Sequence, residues 1–258
     1  MKSLQLVALL LTFLYLGISG TSPSPVRAEQ EEGTVAVEKT TMGSLDVSRV
    51  LFLGNSITLH SPAPAIGWTG NWGMAASAQE LDYVHLLSGQ IAEAASMPKT
   101  KVRNIADFER GYNDYDIEGK LKAELDFAPQ VVIVAIGENV SELATPEAEK
   151  QFAAALDRLL ASLKARQPQA IFVRSSFWPN ATKDQIMKQA CASVDATYVD
   201  IHRLAEDESN FARSERVIEH AGVAGHPGDK GMRAIADAIF AAIQRRSKQH
   251  LEDKRPKE

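Results

Sequence analysis

Short apolar runs alternate with amphipathic segments along most of this chain. The apolar runs predict five strands, at residues 49–54, 101–105, 129–137, 169–178 and 196–201. In the third of them, PQVVIVAIG, the apolar residues follow one another without a polar break, which is typical of a strand covered on both faces of a sheet. The runs therefore predict a sheet that is buried on both sides.

Between the strands, apolar residues recur at the spacing of a helix face. Residues 146–168 carry such a stripe and open with Pro146, a residue favoured at the first position of a helix. Helices are also predicted at 82–96, 183–194 and 229–246. Strands and helices in alternation specify a parallel sheet sandwiched between helices.

Both ends of the chain differ from this pattern. Residues 1–28 combine Lys2, an apolar run too short for a membrane span and the sequence VRA, which predicts a signal peptide and export to the periplasm or beyond the cell. Residues 29–48 are polar without a period and predict a linker or N-terminal arm. Residues 247–258 predict a charged C-terminal tail, which leaves 49–246 as the folded domain.

Charge and cysteine content narrow the possible partners. Cleavage after Ala28 would leave 26 basic and 33 acidic residues, a net charge of −7, which argues against a nucleic-acid partner. We expect no stable membrane insertion once the signal peptide is removed. The single Cys191 cannot form an internal disulfide, so stability must come from a packed core.

Candidate chemistry clusters where the predicted strands end, because ligands of parallel sheets bind beyond the carboxyl ends of the strands. Ser56 follows the first strand, Gly111 the second and Asn139 the third, while His226 precedes the last helix. Acyl transfer needs such a hydroxyl, a base and donors for an oxyanion. Alternatively, Ser56 caps a helix, Asn139 closes a turn and His226 is a solvent-exposed loop residue.

The motifs LGNSIT, a glycine after the second strand, G-x-N after the third and His-Pro before the last helix together resemble the SGNH/GDSL hydrolase family. The resemblance implies the SGNH hydrolase fold, a three-layer α/β/α sandwich with a parallel, flavodoxin-like five-stranded sheet. The same resemblance implies serine-ester hydrolysis, with Ser56 as nucleophile and His226 as base. It also implies an oxyanion hole made by the N–H groups of Ser56 and Gly111 and the side chain of Asn139. Asn55 stands where the family more often has Asp, and we place it with the substrate-binding residues.

One position departs from the family. Val223 lies three residues before His226, where the family usually has the Asp that orients the histidine. A backbone carbonyl or water could orient the ring instead, or another acid could do so, with Glu138 preferred over Glu219 and Asp229. The third alternative is a weak or inactive relative that binds without turnover.

A segment rich in Pro, Gly and Trp, residues 60–77, follows the nucleophile motif and should lie over the site. Trp68 and Trp72 could stack on a sugar ring, with Trp178 as a third aromatic residue, or they could instead pin an irregular loop. The histidines show no metal-ligand spacing, so no metal and no cofactor are expected.

These observations predict an exported serine esterase that hydrolyses short acyl esters, most plausibly acetyl esters of carbohydrate. Its partner would be a small-molecule or glycan ester. A lysophospholipase-like lipid esterase is the alternative within the enzyme class. A non-catalytic glycan-binding protein with the same fold is the alternative outside it.

Overall fold

A computed structural model describes residues 40–253 of the chain, with side chains described as far as Lys248. The predicted signal peptide and residues 29–39 of the predicted arm lie outside this range. No helix in the described part is long and apolar enough to cross a membrane.

A five-stranded parallel sheet forms the centre of the fold and confirms the predicted α/β class. Its strands are β3 (Arg49–Gly54), β4 (Lys99–Asn104), β5 (Val131–Ala135), β6 (Ala170–Arg174) and β7 (Thr197–Val199). They lie in the order β4-β3-β5-β6-β7, so the first of the five strands sits between the second and the third. This flavodoxin-like order creates a switch point beside β3, where the connections leave toward opposite faces and open a crevice.

Helices cover both faces of the sheet. They are α1 (Tyr83–Ala94), α2 (Ala106–Gly111), α3 (Ile117–Lys120), α4 (Lys122–Leu125), α5 (Pro146–Lys164), α6 (Ala181–Ser193), α7 (Ala212–Glu215), α8 (Ala221–Ala224) and α9 (Asp229–Asp253). Helices α1 and α9 pack on one face and α2 to α6 on the other. Along β3, Val50 and Phe52 join the first core while Leu51 and Leu53 join the second, as the two-residue period of a strand requires.

Secondary structure extends past both predicted domain boundaries. Part of the predicted arm forms a hairpin of β1 (Thr41–Met42) and β2 (Leu45–Asp46), whose Met42 and Leu45 are buried in the first core. At the other end, α9 continues to Asp253, past the predicted start of the tail. The Ser44 hydroxyl donates to the backbone oxygen of Ser247 at 3.5 Å, so the described ends of the domain meet.

Candidate active site

Ser56 lies in a tight turn directly after β3. The turn closes through a hydrogen bond from the Thr58 N–H to the Asn55 carbonyl, 3.0 Å long. A Cβ atom on Gly54 would stand 1.9 Å from the Thr58 hydroxyl oxygen, so the turn requires glycine there. No helix begins at Ser56, which means that the helix-cap alternative is wrong.

The Ser56 hydroxyl instead contacts His226. Its Oγ lies 2.8 Å from the ring Nε2, and the opposite ring nitrogen, Nδ1, lies 2.6 Å from the backbone oxygen of Gly222. Because a carbonyl can only accept, Nδ1 carries the proton and Nε2 offers a lone pair to the serine. Burial lowers the pKa of His226 below its ordinary value of 6.5, which keeps the ring neutral near pH 7.

Donors for an oxyanion surround the same serine. The N–H groups of Ile57 and Thr58 are used within the turn, whereas the Ser56 N–H donates to no described residue. Asn139 donates one hydrogen of its Nδ2 to Glu109 Oε2 at 2.8 Å and accepts from Arg110 at its Oδ1, also at 2.8 Å. An amide nitrogen has two hydrogens, so Asn139 retains one for a ligand.

A cavity of about 520 Å³ opens above Ser56. Its lining is mixed, with charged and polar side chains beside a few aliphatic ones: Ser56, His60, Ile66, Met74, Arg103, Asn104, Ala106, Asp107, Arg110, Asn139, His220, Gly222, Val223 and His226. The predicted nucleophile, base and oxyanion side chain thus share one cavity at the carboxyl end of the sheet.

Residues 52–234 match the family model of the GDSL-like lipase/acylhydrolase family. The chain belongs to this family. A comparison with curated protein sequences finds no match.

Two crystal structures with the same fold superpose on this chain over nearly their whole length. A structure assigned to a GDSL-like lipase from Bacteroides uniformis superposes with a TM-score of 0.52 at 16% identity, covering 77% of this chain and 96% of its own. A lipase/acylhydrolase from Enterococcus faecalis gives a TM-score of 0.51 at 13% identity, with coverage of 77% and 96%. At such identities the likeness establishes the fold alone.

In this GDSL acylhydrolase, the substitute for the usual Asp is a backbone group. The Val223 side chain is buried in a small apolar cluster and has no polar atom that could bond a ring nitrogen of His226. Asp229 is bound to Ser77, and Glu219 is an exposed residue next to the cavity wall. Among the described residues, the group bonded to Nδ1 of His226 is therefore the Gly222 carbonyl, and none of the three candidate acids takes that place.

Glu138, the preferred substitute acid, serves a different purpose. Its Oε1 accepts from Arg174 at 2.6 Å and from the Phe177 N–H at 2.7 Å, and both charged side chains are almost fully buried. Burial alone would raise the pKa of Glu138, but the Arg174 guanidinium and the Phe177 N–H outweigh it and hold the pKa below the ordinary value. Glu138 braces the loops under the site rather than orienting His226.

Glu109, which the sequence did not mark as a candidate, fixes the loop that carries Asn139. Its carboxylate accepts from the Gly137 N–H at 2.6 Å and from the backbone and side chain of Asn139 at 3.1 and 2.8 Å. Gly137 reaches it with a φ of +122°, a conformation that side chains rarely adopt. Burial and the nearby charge of Glu138 raise the pKa of Glu109. The sequence signal for this buried role was the position of Glu109 beside Phe108 on the apolar side of α2.

Asn55, predicted among the substrate-binding residues, does not line the cavity. Its side chain is fully buried, and its Nδ2 donates to Glu109 at 3.2 Å and to Glu138 at 2.6 Å. An Asp at this position would place a third carboxylate against two others, whereas Asn can donate to both. The departure from the family's usual Asp follows from these two neighbours.

Gly111 is also misplaced by the prediction. It is the exposed last residue of α2 and does not line the cavity. The chain turns from β4 into α2 within two residues, so Asn104 and Ala106 occupy the strand end where a glycine loop was expected.

Trp68 and Trp72 make their hydrogen bonds within the 60–77 segment, as the loop-pinning alternative expects. Trp68 is 7% exposed and donates to the His60 carbonyl at 3.0 Å, and Trp72 donates to the Ala76 carbonyl at 3.1 Å. Their rings pack edge to face with centroids 5.6 Å apart. Trp178 contacts the His226 ring in the same manner at 5.3 Å and lines no part of the cavity. Of the 60–77 segment, His60, Ile66 and Met74 reach the cavity wall.

Proposed function

We propose that this GDSL acylhydrolase is an active serine esterase in which Ser56 and His226 work as a dyad. The observation that carries the proposal is the chain of two hydrogen bonds from Ser56 Oγ through His226 to the Gly222 carbonyl. As Ser56 attacks the ester carbonyl, its proton moves to Nε2, and the C–O bond to the alcohol breaks as that proton passes to the leaving oxygen. Water then attacks the acyl-enzyme with the same base, releasing the acid and restoring Ser56.

The negative oxygen that forms in each step would be held by two donors. The Ser56 N–H and the remaining hydrogen of Asn139 Nδ2 belong to residues that follow the neighbouring strands β3 and β5 and line the same cavity. Donors fixed before the reaction stabilise the transition state without a cost of reorientation. The contacts of Glu109 and Arg110 supply that fixation for Asn139.

The substrate class that fits this cavity best is a short acyl ester, in particular an acetyl ester, of a carbohydrate. Ala106 and Val223 leave room for a small acyl group, while the arginines, histidines and asparagines of the wall suit a hydroxylated alcohol portion. A lipid ester is the second candidate, because a groove of mixed polarity, which includes Pro64, Ile66 and the fully exposed Val217, adjoins the cavity at Ile66. The predicted signal peptide leads us to propose export.

Acetate release from acetylated oligosaccharides, compared with fatty-acid release from lysophosphatidylcholine, tests the substrate class. We expect acetate release that disappears in Ser56→Ala. Fatty-acid release without acetate release would establish the lipid alternative. Binding of the oligosaccharide, with no release of either product and no labelling of Ser56 by an organophosphonate, would establish a non-catalytic protein.

A further inference from the structure

Two arginines stand on the wall of the cavity without an acidic partner. Arg103, on β4, and Arg110, on α2, both line the cavity with Ser56 and are both exposed. Neither forms an ion pair with a carboxylate among residues 40–248, whose side chains the structure describes, and the side chain that Arg110 contacts is the neutral amide of Asn139, at 2.8 Å. Positive charge is therefore concentrated at one cavity of a chain whose overall charge is −5.

The acidic group of the wall is not paired with either arginine. Asp107 is the one carboxylate that lines the cavity, and it is engaged by Lys120, whose Nζ lies 3.5 Å from Oδ2. The other two carboxylates near the site, Glu109 and Glu138, are buried beneath it and are bound by Asn139 and Arg174. A ligand in the cavity thus meets two guanidinium groups with free hydrogen-bond donors.

We propose that the esters hydrolysed at this site carry a carboxylate close to the scissile bond, as an acetylated uronic-acid glycan does. This inference rests on the proposed esterase function. A guanidinium presents a planar pair of donors that matches a carboxylate, so Arg103 binds the acid while Ser56 attacks the neighbouring ester. Positive charge in a cleft also attracts an anionic substrate before contact.

A pair of aryl acetates that differ in charge tests the proposal on the full chain. The substrates are 4-acetoxybenzoate and its methyl ester, each rate being divided by the rate of hydroxide-catalysed hydrolysis of the same compound. The wild type is expected to prefer the charged substrate about tenfold in kcat/KM, the value of one good ion pair. The preference should fall toward unity in Arg103→Gln, and it should decline with rising salt.

The matched control is Arg245→Gln, which removes an exposed arginine of α9 that does not line the cavity. It should leave the preference intact. An equal corrected rate for both substrates in the wild type, or a preference that Arg103→Gln retains, would overturn the carboxylate proposal while leaving the esterase intact. Hydrolysis that persists in Ser56→Ala would instead overturn the esterase itself.

A second substrate pair distinguishes a carboxylate from other anions. Acetylated oligogalacturonides should release acetate faster than the same oligomers with methyl-esterified carboxylates, and faster than acetylated oligosaccharides bearing sulfate or phosphate. Equal or faster release from the sulfated or phosphorylated oligomers would overturn the assignment to uronic acids.

Discussion

The Nδ1 of His226 lies 2.6 Å from the backbone carbonyl oxygen of Gly222, four residues earlier in the chain. This bond fixes the ring tautomer, which is one of the two tasks of the carboxylate in a serine triad. A carbonyl carries no net charge, so the second task, stabilising the imidazolium, is performed only weakly. The dyad is thus expected to work with a base whose pKa is low.

The pH dependence of kcat/KM should reflect this base. His226 is active when neutral, and its pKa is lowered by burial and by nearby His60, against the opposing effects of the Gly222 bond and Glu138. Activity should therefore be constant at neutral pH and fall on acidification, with half-maximal kcat/KM below pH 6.5. A profile of p-nitrophenyl acetate hydrolysis checks this, and a midpoint above that value would contradict it.

Substitutions at Asn139 and at Glu109 should both lower kcat through the same hydrogen-bond donor, the Asn139 side chain. Asn139→Ala removes an oxyanion donor and is expected to lower kcat by about 10²- to 10³-fold with little change in KM. Glu109→Gln places an amide against the Asn139 amide and should lower kcat for the same reason. In the double variant the two losses of kcat should not add, because Asn139→Ala has already removed the donor that Glu109 positions.

A surface asparagine provides the control for the Asn139 and Glu109 variants. Asn113→Ala removes an exposed asparagine that contacts Gln151 on the surface, and kcat should not change. Additive losses in the double variant would show that Glu109 acts independently of the oxyanion donor.

Glu138 should matter for stability more than for proton transfer. Glu138→Gln leaves the buried Arg174 without its counter-charge, and removal of one partner of a buried pair costs about 3–5 kcal/mol. Urea unfolding measures the free energy of unfolding. The matched control is Glu118→Gln, which breaks the exposed pair with Arg166 and should cost less than about 1 kcal/mol. Similar losses in the two variants would argue against the bracing role.

Trp68 should likewise be a structural residue. Trp68→Phe removes the hydrogen bond to the His60 carbonyl and should lower the free energy of unfolding by about 1 kcal/mol. The KM for an acetylated oligosaccharide should be unaffected, since the indole is buried. A raised KM with unchanged stability would restore the sugar-platform interpretation.

The sequence was most informative where hydrophobic periodicity decides the structure. The five strands and the long helices α5 and α9 were predictable because both faces of each strand and one stripe of each helix must be buried. The hairpin before β3 was missed because two-residue strands carry no period, and only the burial of Met42 and Leu45 reveals it.

At the site, the meeting of Ser56, Asn139 and His226 at one cavity was predictable because the first two follow strand ends and the third precedes the last helix. Gly111 was misassigned because a glycine in the sequence does not reveal whether α2 ends before or beyond the cavity. Glu109 and Gly222 were not predictable as partners. Glu109 acts from a helix 28 residues before Gly137, and Gly222 acts through its backbone, which the residue type does not encode.

The central claim is that Ser56 and His226 together hydrolyse esters, and p-nitrophenyl acetate turnover by the full chain tests it most directly. The rate should fall by about 10³-fold or more in both Ser56→Ala and His226→Ala, with the fold retained by circular dichroism. It should not change in Ser141→Ala, which alters an exposed serine outside the cavity. Equal rates in the wild type and the two dyad variants would contradict the account.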